Sequence, residues 1–87
     1  MKPPWFVYVL YSIRTGRLYT GITTDPARRL LEHNGVYTKG AKATRAGRPW
    51  CIVHTERMDT KSLALKREYA IKQLKRQDKL ILVGLAA

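Results

Sequence analysis

The run WFVYVLY, Trp5 to Tyr11, constrains this chain more than any other stretch. Successive side chains of a strand point to opposite faces, so an aromatic and β-branched run without polar alternation needs cover on both sides. Pro4 before it and SIRTG after it set its ends. A chain of 87 residues has material for one modest core, so the layers covering this strand belong to one domain.

The rest of the chain supplies those layers. Arg17 to Ile22 follows a turn containing Thr15-Gly16 and makes a β-hairpin with the first run, and a loop centred near Arg14 would bring Tyr8 and Tyr19 together. A third strand runs from Trp50 to Thr55, with Ile52 on one face and Cys51 and Val53 on the other. In TTDPARRLLEHNG, Asp25 can accept from free backbone N–H groups, Pro26 suits the first helical position, and Asn34-Gly35 can close a helix over Pro26 to about His33. SLALKREYAIKQLK reads as a helix with Leu63, Arg67, Ala70, Ile71 and Leu74 along one side, capped at Asp59-Thr60. A shorter helix, Lys75 to Leu85, follows a kink near Arg76-Gln77-Asp78. The terminal LILVGLAA closes the core or covers a second copy, so a monomer or weak homodimer is expected. The order β-β-α-(basic loop or short α)-β-α-α describes an α/β architecture: a small three-stranded sheet flanked by helices.

Charge narrows the partner. Seventeen Lys and Arg against six Asp and Glu give +11, with a pI near 10.3. Such a field calls for a polyanion, and nucleic acid leads because its phosphates attract Lys and Arg whatever the bases. Val36 to Arg48 is basic and poor in large apolar anchors, with Lys39, Lys42, Arg45 and Arg48 placed to grip a phosphate backbone. No apolar run reaches the roughly 18 residues of a membrane span, and the N-terminus does not read as a signal peptide, so no membrane and a cytoplasmic setting are expected. Cys51 stands alone, which excludes an intrachain disulfide and a Cys-based zinc site and leaves it as a small buried hydrophobe. No Ser-His-Asp or Gly-rich phosphate-loop pattern is present, so acyl transfer and nucleotide hydrolysis are set aside.

Few residues remain for chemistry. Asp25 and Asp59 are accounted for as caps, Glu32 and Asp78 as members of polar helical faces, and Glu56 as a strand end. Glu68 differs, because at ~100° per residue it falls roughly 60° from Ile71, at the border of the apolar stripe. It is either a partly desolvated, reachable carboxylate or half of an (i, i+4) salt bridge with Lys72. Arg29 and His33, four apart, share a helix face other than that of Ala27, Leu30 and Leu31. They form a solvated charged surface or meet a partner outside the core. Tyr8 and Tyr19 are packing aromatics or acid–base groups.

The order and spacing of these residues resemble the GIY-YIG nuclease superfamily. Its namesake tripeptides look like Val7-Tyr8-Val9 and Tyr19-Thr20-Gly21; the family arginine falls on Arg29, the histidine or tyrosine one turn later on His33, and the glutamate of the later helix on Glu68. More narrowly, YTGITTDPARRLLEHN, RAGRPW and SLALKREYAIKQL look like the small standalone bacterial members. The resemblance implies a single GIY-YIG-like domain over residues 1–87 with an antiparallel sheet, and a metal-dependent endonuclease acting on DNA ahead of RNA, selective for structure rather than sequence, in repair or recombination. It further implies that Glu68 holds one Mg²⁺ or Mn²⁺, that Arg29 donates to the phosphate, that Tyr8 takes the proton of water with Tyr19 and His33 placing or relaying it, and that Gly21 permits close backbone approach. Many family nucleases carry an asparagine about a dozen residues after the glutamate. Here that position is near Leu80 and no asparagine follows Glu68, which keeps open a nucleic-acid-binding module without turnover.

Overall fold

The structure, a computed structural model, describes residues 2–36 and 42–87, without the side chains of Lys42 and Ala43. The elements in order are β1 (Trp5–Ser12), β2 (Leu18–Thr23), α1 (Pro26–His33), a 3₁₀ segment (Lys42–Gly47), β3 (Trp50–Met58), α2 (Lys61–Gln73) and α3 (Arg76–Leu82). The sheet is antiparallel throughout, with order β2-β1-β3. The WFVYVLY run is therefore the central strand, and Val7, Tyr8, Val9 and Leu10 are all buried.

The two faces of β1 carry different company. Val7 and Val9 join Ala64 and Ile71 of α2, with Leu18, Ile22, Val53, Leu82 and Val83 packed around them. Tyr8 and Leu10 join Trp50, with Tyr19, Leu30 and Ile52 around them. Ile52 and Val53 thus fall on opposite faces, as expected from the sequence. A bulge opposite Val9 and Leu10 shifts the β3 register there. Beyond it the strand runs past the expected end at Thr55 to Met58, because alternation persists: Thr55 and Arg57 are exposed, Glu56 and Met58 half-buried.

Helix α1 has the boundaries its caps predict. Asp25 Oδ1 accepts from the Arg28 N–H at 3.1 Å, Pro26 opens the helix, and Gly35 beyond its end has φ +83°. Helix α2 is capped by Thr60, whose Oγ1 accepts from the Leu63 N–H at 3.1 Å. Its buried stripe differs from the expected one. Ala64 and Ile71 face the sheet with Arg67, Glu68 and Leu74 half-buried beside them, while Leu63 is 46% exposed and Ala70 also faces solvent. A small residue at 64 lets the helix approach the valines closely, rotating the larger leucines outward. The break before α3 falls at Leu74 and Lys75, both extended, two residues earlier than expected. Cys51 is half-buried rather than enclosed. No helix among the described residues is long and apolar enough to cross a membrane.

Candidate active site

The hairpin register decides where the tyrosines meet. Tyr8 pairs with Gly21 and Leu10 with Tyr19, so the two phenols are diagonal neighbours on one face with ring centroids 6.4 Å apart. Gly21 lies beneath the Tyr8 ring. A Cβ at position 21 would stand 2.5 Å from Tyr8 Oη and 2.7 Å from its Cζ, contacts no real side chain makes. The room expected for close approach of a substrate is therefore occupied by the ring of Tyr8.

Helix α1 turns its polar side inward. His33 is fully buried and Arg29, Leu30 and Glu32 are half-buried, while Ala27 and Leu31 face solvent. This reverses the expected orientation, in which Arg29 and His33 lay off the core face. A polar face can be buried when its hydrogen bonds are made, and here they are. His33 Nε2 lies 2.7 Å from Tyr8 Oη, and His33 Nδ1 lies 2.8 Å from Thr44 Oγ1. Arg29 Nη1 donates to Glu32 Oε1 at 2.8 Å, and Arg28 Nε lies 3.2 Å from Glu32 Oε2. Among the described residues no buried side-chain nitrogen or oxygen lacks a partner.

Three residues that the sequence did not assign to the site support His33 and its neighbours. Thr44 receives its Nδ1 side, and the Thr44 carbonyl accepts from Trp50 Nε1 at 2.6 Å. Asn34, the chain's only asparagine, clamps the same tryptophan by its backbone: Nδ2 donates to the Trp50 carbonyl at 3.0 Å and Oδ1 accepts from the Trp50 N–H at 2.8 Å. The third is Glu32, which aims Arg29. A sequence signal existed for Glu32, since Arg28, Arg29, Glu32 and His33 have i, i+3 and i+4 spacings. None marked Thr44, which sits in a segment whose composition suggests plain surface.

The basic segment divides. Arg45 is exposed, whereas Arg48 is half-buried with its Nε donating to the His33 carbonyl at 2.5 Å. The expectations for Lys39 and the Lys42 side chain fall outside the described residues.

Electrostatics set the resting state. Burial, followed by the neighbouring Tyr19, pushes the Tyr8 phenol up to about 12, although a hydrogen bond and charge from Arg29 oppose this. Burial, then the Arg29 charge, brings His33 down to about 4. Both groups are therefore neutral near pH 7. With the Arg29 charge favouring electron density on the Tyr8 oxygen, the phenol proton is best given to His33 Nε2, leaving Nδ1–H to donate to Thr44. The hydrogen bond from Arg29 holds the Glu32 carboxyl below its ordinary range.

Glu68 stands on α2, which covers the face of the sheet opposite Tyr8. Its charge acts on the Tyr8 phenol, while its side chain stays 18% exposed with Lys72 Nζ at 3.4 Å from Oε2. The (i, i+4) pair expected with Lys72 is thus formed, on a carboxylate that is half-buried. A divalent cation fits this setting: one half-buried carboxylate, ion-paired among the described residues with a lysine half-exposed at the surface, suits Mg²⁺, which keeps most of its shell for water and phosphate oxygens. No cluster of three or more His, Cys, Asp or Glu able to cage a metal occurs among the described residues.

Known proteins share the sequence pattern and the fold of this chain. The family model described as the GIY-YIG catalytic domain matches residues 4–80. A UPF0213 protein of Natronomonas pharaonis is 50% identical over 84 residues, 97% of this chain and 95% of its own length. One from Desulfotalea psychrophila is 53% identical over 73 residues, 84% of this chain and 64% of its own length. The solution NMR structure of a UPF0213 protein from Bacillus halodurans is 40% identical with a TM-score of 0.57, over 94% of this chain and 84% of that one.

Proposed function

Because the chain belongs to the GIY-YIG family, we propose that it is a metal-dependent endonuclease hydrolysing phosphodiester bonds in nucleic acid, DNA ahead of RNA. The observation that carries this reading is convergence on one hydroxyl: Tyr8 Oη is hydrogen-bonded to His33 Nε2, its ring lies beside that of Tyr19, and its proton is influenced by Arg29 and, least, by Glu68. The exposed basic surface and the lack of a base-reading element favour selection by strand geometry, as DNA repair or recombination requires.

Hydrolysis needs an activated water and neutralisation of the charge that builds on the phosphate. Arg29, already aimed by Glu32, donates to a non-bridging phosphate oxygen. Glu68 would hold the divalent ion, Mg²⁺ or Mn²⁺, which when bound supplies positive charge for the phosphate and offsets the carboxylate charge that acts on Tyr8. Tyr8 takes the proton of water only after its own proton has left toward His33, which Thr44 keeps in the accepting tautomer. Bringing a phenol from about 12 to 7 takes ~7 kcal/mol of selective stabilisation of the phenolate. Arg29 is the resident contributor.

The test is incubation with single-stranded, duplex and branched DNA and with RNA, in Mg²⁺, Mn²⁺ or chelator. Metal-dependent nicking should disappear in Glu68→Ala and in Arg29→Ala, each with an unchanged circular-dichroism melt. Unchanged nicking in both variants removes this site. Binding without nicking by the native chain selects the binding module, which the missing downstream asparagine favours.

A further inference from the structure

Away from Tyr8, Arg17, Arg76 and Lys79 line a cleft of about 170 Å³ with Leu18 on its wall. Arg76 Nη2 donates to the Gly16 carbonyl at 2.8 Å, which ties α3 to the hairpin turn and fixes the guanidinium there. Among the described residues none of these three cations has a carboxylate within 4.0 Å, whereas Arg28, Arg29, Arg57, Arg67 and Lys72 each do. Asp78, between Arg76 and Lys79 in sequence, is not among the lining residues. Three uncompensated charges in a concavity focus a field that none of them creates alone on a convex surface.

The cleft and the candidate site flank one edge strand from opposite faces of the sheet, since Leu18 packs with Val7 and Val9 whereas Tyr8 packs with Tyr19 and Leu30. β2 is an edge strand, Gly21 sits opposite Tyr8, and Arg17 immediately precedes Leu18 at the other end. Four residues of strand span ~13 Å along β2, so a nucleic-acid strand that passes round this edge and joins the two covers at least some four nucleotides at about 3.4 Å each.

We propose that the Arg17–Arg76–Lys79 cleft binds a backbone phosphate of the same nucleic-acid strand whose scissile bond lies at Tyr8, at least about four nucleotides from it around the β2 edge. This rests on the nuclease reading and adds a requirement to it: the substrate strand must continue past the scissile bond around the β2 edge. Internal bonds are thereby favoured over terminal ones, and the contact is blind to base identity.

The experiment measures binding of a fluorescent single-stranded 20-mer in chelator across a salt series, for the native chain and for Arg17→Gln/Lys79→Gln, with Arg76 kept because it holds the turn. Expected are about tenfold weaker binding and a log–log salt slope shallower by about 0.7, one phosphate's worth, with an unchanged melt. If the variant melts early, amide shifts in the native chain decide, and on adding the same oligonucleotide Leu18 and Lys79 should move. Equal affinity and slope, or shifts confined to the 3₁₀ segment, overturn the cleft. If that happens while Glu68→Ala still abolishes nicking, the nuclease reading survives. A slope change without any nicking by the native chain keeps the cleft and removes turnover.

Discussion

The two faces of β1 differ in what they bury. Toward α2, Val7 and Val9 pack on Ala64 and Ile71, whose burial stabilises the fold without directional demands, and the polar groups on that face, His54 and Glu56 across from them on β3 with Arg67 of α2, pair with one another toward its open side. Toward α1, Tyr8 is 2% exposed and His33 fully buried, and each keeps its place through named hydrogen bonds. One strand therefore serves as core on its odd positions and as chemistry on its even ones. The difference teaches that rigidity at Tyr8 is inherited from the valines beside it. A buried polar chain is costly unless every member is satisfied, and the apolar face holds the geometry in which they are.

Separate damage to the two faces breaks this comparison. The largest effect on stability belongs to the apolar side: Ile71→Ala should cost ~2–5 kcal/mol by leaving a cavity under the sheet. A lower denaturation midpoint should be measured, with nucleic-acid binding below the melt unchanged. Equal loss of binding would mean that the faces are not separable. Next comes acid. The folded His33 titrates at about 4 against its ordinary 6.5, so the unfolded chain binds the proton first as pH falls. The stabilisation tied to neutral His33 is complete above pH 6.5 and is lost toward pH 4, by ~3 kcal/mol. Denaturant titrations between pH 7 and 5 should show that decline in the native chain and a flatter one in His33→Gln; identical curves would remove the assignment.

Smaller in stability, yet decisive for the polar face, is Tyr8→Phe. It leaves His33 Nε2 without its partner, a loss of ~1–3 kcal/mol, and nicking should vanish while the fold persists. Smallest of all, Arg45→Ala on the exposed 3₁₀ segment should weaken oligonucleotide binding by only a few-fold at low salt, less at high salt, read by anisotropy.

Local chemistry was legible in the sequence wherever it acts alone. Asp25-Pro26 and Asn34-Gly35 bounded α1, and the unbroken apolar run of β1 required two layers. The expectation that the tyrosines, arginine, histidine and glutamate share one place came through resemblance, since no local rule links residues 8 and 68. Face assignment failed where burial was polar. Counting apolar residues on α1 pointed Ala27 and Leu31 inward, because periodicity treats Arg29 and His33 as solvent-facing unless their partners are known. On α2 the same counting chose Leu63 over Ala64, for it weighs hydrophobicity and cannot weigh how closely a helix must approach a sheet. The role of Arg48 was hidden for a related reason: its partner is a main-chain carbonyl, which no side-chain pattern announces.

The contact between Gly21 and the Tyr8 ring has a consequence for how this chain can diversify. One extra carbon at position 21 evicts the phenol, whereas a smaller residue at position 8 leaves a hollow that a larger residue at 21 could fill. The two sites can therefore drift only as a pair. A descendant with alanine at 21 should have given up the tyrosine, and the hydrolytic trade with it, while its valine-lined side stayed as it was.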